Sequence, residues 1–508
     1  MIMAVRMRMS GGGRSRGTAV LLLWVFLRCC SGSSSGQWRE ASPPWAQYYG
    51  TKMRYEDVAG SGPGSSRALG GCQALQLNAL IRHGTRYPTR KNVPAMKRVH
   101  RLIRERADRG LGLVRALADW HMWYDERMDG HLHPLGVTDM SGLAERLSRC
   151  FPEIFSPRRD WNRRLKFVSS SKHRCVNSTR AFIQALERLL EPGGRAQPGG
   201  RWEVDDTLLR FFDHCHRYIQ SVDRNQTAMR QVQRFLQGPE MGAVIANMAR
   251  KLGIGPENIT TDMVQATFYL CTFEYVLKDV VSPWCDVFDK EDVEKLEYWG
   301  DLKHYWKRSY GHKINGLSSY NLFQDIFQHL DQAVEESERL SVPVRNSVLR
   351  WFTPSTGLSL NASFVRDAPE KTRGEYISHT AVLRFGHAET LLPILTLMGY
   401  FKDKNPLLAD NFAEQKNRKF RSGRISPFAA NLIFVLYRCE KAQDLAEKYK
   451  LQLLLNEKPL PFLHNGDSVA GYGEVKSHYE HALEVRSFDN VCEVAAQEAL
   501  NVTHCGEL

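Results

Sequence analysis

The apolar positions of this chain fall into short runs that end abruptly in charged turns, separated by stretches with helical spacing. The clearest run, Leu75 to Ile81, has the length of a buried strand, and Gly84 and Pro88 stop it from continuing. Val93 to Leu117 carries Met96, Val99, Leu102 and Ile103 at helical spacing among many Arg and Lys, which predicts an amphipathic helix with a basic outer face. Leu135 to Arg149 predicts a second helix, entered through Thr138 or Asp139 as caps. Arg164 to Ser171 reads as a strand, and Lys172-His173-Arg174-Cys175 opens a helix reaching Leu190. After a Gly/Pro break at Gly193 to Gly200, helical patterns dominate Asp205 to Leu340, at Met229–Leu236, Met241–Lys251, Val264–Leu277 and Leu322–Leu340. Strand-like runs return with Thr380 to Gly386, and Thr390 to Leu397 then starts a helix with Pro393 in its first turn. Asn431 to Arg438, Leu451 to Leu455 and a helix near Gly473 to Ala482 complete the pattern.

This alternation predicts an α/β protein. Residues 72–204 and 341–500 form the core, and residues 205–340 form an inserted, mostly helical cap domain over its active face. Residues 37–71, rich in Gly, Ser and Pro, read as an irregular arm, and residues 501–508 as a tail. The aromatics of the helical stretch, Phe211, Phe212, Trp284, Tyr298, Trp299, Tyr305 and Trp306, suit a core better than a base-stacking platform, so no nucleic-acid partner is indicated.

Composition changes the picture in one respect, the compartment. With 508 residues, 43% hydrophobic and 25% charged, the chain can bury a large core or two joined domains. Arg6, Arg8, Arg14 and Arg16 precede an apolar run from Ala19 to Leu27 and small residues from Ser31 to Gly36, so residues 1–36 read as a secretory signal peptide. The run is far shorter than the roughly 20 residues of a membrane span, and no other transmembrane candidate is present in the sequence. Removing the leader takes away five Arg and lowers the formal charge from +13 to +8, which fits a polyanionic substrate or surface and equally a generic basic protein. Nine Cys follow the leader, an odd number whose wide spacing speaks for disulfides and against a zinc cluster, with Cys271 and Cys285 the favoured pair. Sequons at Asn177, Asn225, Asn258, Asn361 and Asn501 agree with glycosylation on the secretory route. The final Cys505-Gly506-Glu507-Leu508 is a degraded retrieval signal, which leaves the endoplasmic-reticulum lumen and secretion or the cell surface both open. Oligomeric state does not follow from the sequence.

The candidate chemistry sits where strands end. Arg82, His83 and Arg86 should lie at the C-terminal end of the first strand, where open α/β sheets present their ligand crevice, and two guanidiniums flanking an imidazole suit a phosphate. Arg174 follows the second strand at a helix N-terminus, a further place for an anion. His387-Ala388-Glu389 follows the third. Arg90 and Lys91 come directly after the first turn, and Lys91 is a candidate for the pocket mouth.

The string Arg82-His83-Gly84-Thr85-Arg86-Tyr87-Pro88-Thr89 resembles the signature of the histidine acid phosphatases, the family that includes phytases and prostatic-type acid phosphatases. His387-Ala388-Glu389 stands where the commoner form has His-Asp, and it resembles the multiple inositol polyphosphate phosphatase branch. The resemblance spans most of residues 72–500 and implies a phosphoglycerate-mutase-like core with a mixed central sheet flanked by helices. It implies a small-molecule polyanionic substrate, inositol hexakisphosphate and lower inositol phosphates, with 2,3-bisphosphoglycerate as a further one. His83 is then the nucleophile that becomes phosphohistidine. Arg82, Arg86, Arg174 and His387 bind the phosphoryl oxygens, and Glu389, its pKa raised by clustered phosphates, protonates the leaving alkoxide. No metal and no cofactor enter this scheme. Two other readings compete: a mutase or phosphotransferase, which the leader disfavours, and a non-catalytic binder of anionic polymers, which His83, Arg86 and Glu389 disfavour.

Overall fold

The computed structural model describes residues 45–59, 69–155, 161–190, 202–341, 378–440, 445–483 and 488–493. The leader, the Gly193 to Gly200 break, the sequons at Asn361 and Asn501, and the tail lie outside the described residues.

An eight-stranded mixed sheet organises the core. Strand β1 (Cys72–Arg82) lies at its heart, parallel on one side to β4 (Ala381–Gly386) and antiparallel on the other to β5 (Asn431–Cys439). Beyond β4 come β2 (Leu165–Ser169) and β3 (Trp202–Val204), both parallel. Beyond β5 comes β6 (Tyr449–Leu455), antiparallel, which pairs with the short β7 (Lys458–Pro459) and β8 (Val469–Gly471). Strands β1, β4 and β5 are buried on both faces, which is why they read as nearly unbroken apolar runs.

Register then sets the position of the chemistry. Arg82 pairs with Gly386, and Ser169 pairs with Phe385, so β1, β4 and β2 end at one level on one edge. The residues that follow, His83, His387 and Ser170, converge there. Two disulfides tie distant segments, Cys72 to Cys439 across β1 and β5, and Cys215 to Cys492, while the favoured Cys271–Cys285 pair is formed within the helical stretch.

Three local expectations need correction. The stretch from Val93 is two helices, Val93–Arg106 and Gly112–Asp119, because the Asp108-Arg109-Gly110 turn interrupts it. The next helix, Pro134–Cys150, is capped by neither Thr138 nor Asp139: with Pro134 at its first position, His133 becomes the cap and its Nδ1 accepts the Leu135 amide. Pro393 lies in the interior of the Ala388–Leu397 helix and not in its first turn, so the amide that would have bonded the Glu389 carbonyl is missing.

The predicted helical stretch is helical throughout, with Arg230–Leu236, Pro239–Leu252, Thr261–Lys278, Lys290–Arg308 and Tyr320–Ser341 as its main elements. The last of these flanks the sheet directly. Its Asp325 pairs with Arg384, a fully buried cation in β4 that also donates to Asn78 of β1. Residues 45–59 of the arm are ordered by burial of Tyr49, Met53 and Tyr55. Arg54 anchors it by donating to the Val276 and Tyr275 carbonyls at the C-terminal end of the Thr261–Lys278 helix.

Candidate active site

His83 is 3% exposed, and its Nδ1 lies 2.9 Å from the Gly84 carbonyl oxygen. A carbonyl only accepts, so Nδ1 carries the proton and Nε2 keeps its lone pair. Burial, reinforced by Arg174, Arg82, Arg86 and His387, holds the imidazole well below the usual histidine range. The ring therefore stays neutral and nucleophilic in mildly acidic solution.

Three guanidiniums surround it. Arg82 is fixed by donating through Nη1 to the Thr51 and Ser426 carbonyls at 2.7 and 2.6 Å, with its guanidinium 4.7 Å from the Phe428 ring centre. Arg86 donates to the Tyr87 carbonyl at 2.8 Å, and Arg174 to His387 Nδ1 at 3.3 Å. Burial lowers Arg82 to about 9 and Arg86 to about 10. In each of Arg82, Arg86 and Arg174 the buried Nε–H has no acceptor among the described residues. Three unsatisfied donors in one place are costly in a folded chain and suit an oxyanion.

His387 lies beside His83, ring centres 5.7 Å apart and edge to face. It accepts from Arg174 at Nδ1, so its Nε2 holds a proton and donates to Ser170 Oγ at 2.8 Å. Burial and Arg174 push its pKa down to about 3. Glu389, in the first turn of the helix that His387 caps, has no such neutral setting. Burial pushes its carboxyl up, but Arg308, His387 and His304 overcome that and hold it below the ordinary glutamate range. The raised pKa expected of Glu389 is thus not a property of the pocket without substrate. Lys91 stands on an exposed turn, before the Val93–Arg106 helix.

The structure brings in residues that the sequence did not single out. A cavity of about 200 Å³ adjoins Glu389 and is lined by Lys52, Tyr269, Lys303 and His304. Burial lowers the pKa of both lysines. Arg308, four residues beyond His304 on the same helix face, lies 4.4 Å from the Phe212 ring centre and keeps a buried Nη1 without an acceptor. The 303–308 stretch does show paired cations, Lys303-His304 and Lys307-Arg308, but its aromatic neighbours masked them as the outer face of a core helix.

The signature loop itself is clamped from one side. Thr85 donates its amide to Asp139 Oδ2 at 2.8 Å, and its carbonyl accepts the His133 amide at 2.9 Å. A Cβ on Gly84 would sit 2.4 Å from the Gly136 carbonyl oxygen, so the loop can approach the Pro134–Cys150 helix only as glycine.

A neutral imidazole nucleophile inside a ring of guanidiniums, on the strand ends of a mixed sheet, defines a phosphohydrolase of the histidine type. The chain belongs to the histidine phosphatase superfamily (branch 2), whose family model matches residues 75–456. It is 44% identical to multiple inositol polyphosphate phosphatase 1 of Homo sapiens over 469 residues, 88% of this chain and 89% of the human protein. It is 43% identical to the Gallus gallus protein of that name, over 89% of this chain and 94% of the relative. Among solved structures it is similar to the phytase from D. castellii, with a TM-score of 0.65, 15% identity and coverage of 91% of this chain and 92% of that one. The Bifidobacterium longum multiple inositol polyphosphate phosphatase in complex with inositol hexasulfate gives a TM-score of 0.62 at 14% identity, over 88% of this chain and 100% of that one. These likenesses carry the fold. The chain is an enzyme of the phosphatase class.

Proposed function

We propose that this protein removes phosphate groups from inositol polyphosphates, inositol hexakisphosphate and its lower forms, through a phosphohistidine on His83. The observation that carries this is the pairing of a proton-bearing His83 Nδ1 with a free Nε2 inside three guanidiniums whose Nε–H donors lack acceptors. Nε2 attacks phosphorus as the ester P–O bond breaks, and Arg82, Arg86 and Arg174 take the three equatorial oxygens. His387 adds a donor once its Ser170 partner gives way. Glu389 protonates the departing alkoxide and then takes a proton from the water that opens the N–P bond. Substrate phosphates offset the cations that hold Glu389 ionised, which raises its pKa when the proton is needed.

The polyphosphate preference is supported by Lys52 and Lys303 at the adjoining cavity and by Arg308, whose charge reaches Glu389, which extend the positive field beyond the reacting phosphate, and by the 44% identity to the human relative. The same set accepts 2,3-bisphosphoglycerate, with Lys91 at the mouth as an outer contact. In this reading the helical 205–340 segment is the cap domain, and three disulfides with glycans at the five sequons fit an enzyme of the secretory route, in the endoplasmic-reticulum lumen or beyond it. Asn225 and Asn258 stand at short 3₁₀ turns, whereas Asn177 lies within the His173–Leu190 helix with Thr179 of its sequon buried.

The test is release of inorganic phosphate from inositol hexakisphosphate and from 2,3-bisphosphoglycerate by purified protein, with and without a chelator. Release that survives chelation and disappears in His83→Ala is expected. No release from the wild type, or loss on chelation, overturns the proposal.

A further inference from the structure

A second cavity, of about 460 Å³, opens on the far side of the helix that lines the first. Tyr305 and Tyr310 wall it on one side, Leu397 on the other, and Lys313, Lys402 and Lys404 stand at its rim. Its volume falls in the range of small-molecule sites, and it shares none of its lining with the cavity at Glu389. Among the described residues no ion pair to a carboxylate is formed by the three lysines. The one acid in the wall, Asp403, is already engaged by the Lys419 and Phe420 amides at 2.6 and 3.1 Å. The net field is positive.

The walls are fixed by bonds that cross between segments distant in sequence. Tyr310 donates to the Tyr400 carbonyl at 2.6 Å, Trp306 to the Leu407 carbonyl at 2.9 Å, and the Ser309 and Thr396 hydroxyls meet at 2.7 Å. Phe401, just before Lys402, holds a φ of 60°, in the left-handed region that favours glycine. The geometry points to a second ligand site, for a small ring compound bearing two or more phosphate or sulfate groups. Tyr305 offers an aromatic wall for the C–H face of such a ring, while the Lys402 ammonium lies 5.8 Å from the Tyr310 ring centre. Lysines approaching from two sides can meet separate anionic groups, and as rotatable point charges they tolerate several substitution patterns.

The site touches two of the elements that border the catalytic pocket. Tyr305 follows Lys303 and His304 on the Lys290–Arg308 helix, and Leu397 ends the helix whose first turn holds Glu389. A ligand bridging Lys313 to Lys402 and Lys404 therefore joins the Lys313–Leu317 helix to the turn that follows the Ala388–Leu397 helix.

Titration calorimetry of the full chain with inositol hexasulfate, an unhydrolysable ring polyanion, tests this without turnover. Two sites per chain are expected. Lys313→Ala/Lys402→Ala/Lys404→Ala weakens one at least tenfold and spares the other, whereas Arg86→Ala/Arg174→Ala does the reverse. A control that removes three exposed charges elsewhere, Lys97→Ala/Lys458→Ala/Lys476→Ala, leaves both sites within threefold. A single site in the wild type that the lysine triple does not touch overturns the inference, as does equal weakening by the control. A single site lost only in the lysine triple supports it and counts against the phosphate-binding role of Arg86 and Arg174.

Discussion

Asp139 accepts the Thr85 amide at 2.8 Å and thereby holds the middle of the loop that carries His83 and Arg86. Burial raises its carboxyl to about 6 despite that hydrogen bond. An acid whose pKa is raised by folding binds its proton more tightly in the native state, so its share of stability is fully present below the unfolded value and is lost as pH rises through about 6. Asp139→Asn keeps an acceptor for Thr85 and cannot ionise. Its stability relative to wild type should therefore improve between pH 4.5 and 7.5, by about 1–2 kcal/mol in thermal or denaturant unfolding. Asp139→Leu, which removes the acceptor, should lower kcat/KM about tenfold while Asn stays within threefold.

The protonation of His83 sets the acid side of the rate profile. Burial and four neighbouring cationic or histidine groups all push its pKa down, and His387 falls to about 3. Neither imidazole of the free enzyme should gain a proton between pH 6.5 and 4.5. After correction for substrate ionisation, kcat/KM should stay within about threefold over that interval, with no step at an ordinary histidine pKa. A tenfold fall centred near 6.5 would show that the nucleophile is solvated or differently placed.

The strand-end half of this site was legible in the sequence because it depends on local rules. An apolar run of strand length, stopped by Gly84 and Pro88, places Arg82 and His83 at a sheet edge, and the β4 run ending at Gly386 does the same for His387. Parallel register then brings the two ends together. The other half depends on tertiary contacts. Lys52 sits in a Gly- and Ser-rich arm whose order comes from burying Tyr49 and Met53, and nothing local marks it. Asp139 has the position of a helix-entry residue, but Pro134 starts the helix earlier and frees that carboxylate to reach Thr85. Lys303 and His304 belong to a helix whose aromatic face is core, and only the fold shows that they look into the cavity beside Glu389.

Glu389 should matter in proportion to how poor the leaving group is. An inositol alkoxide needs a proton in the transition state, whereas p-nitrophenolate departs without one. Glu389→Gln should therefore lower kcat on inositol hexakisphosphate about 100-fold and on p-nitrophenyl phosphate less than threefold. Equal losses on both substrates would assign Glu389 to charge balance among Arg308, His387 and His304.

Lys52 and Lys303 meet at the cavity beside Glu389 from opposite parts of the chain, one from the arm and one from the Lys290–Arg308 helix. Burial disfavours their charge, and Lys52 is further pressed by Arg86 and Arg82, so each is held in a field that a polyanion would relieve. A phosphate at a distance from the reacting centre gains a charge-assisted contact of about 1.5–3 kcal/mol, equivalent to roughly 10–100-fold in binding. A substrate with a single phosphate gains nothing there. Lys52→Met and Lys303→Met should each raise KM for inositol hexakisphosphate about tenfold, with kcat changed less than threefold and kinetics on p-nitrophenyl phosphate unaltered. Methionine keeps the aliphatic stem in place, so thermal stability should hold. If both variants instead lost kcat on both substrates, the lysines would act on the geometry of Arg82 and Arg86, and the recognition of distal phosphates would have to lie with His304 and Arg308.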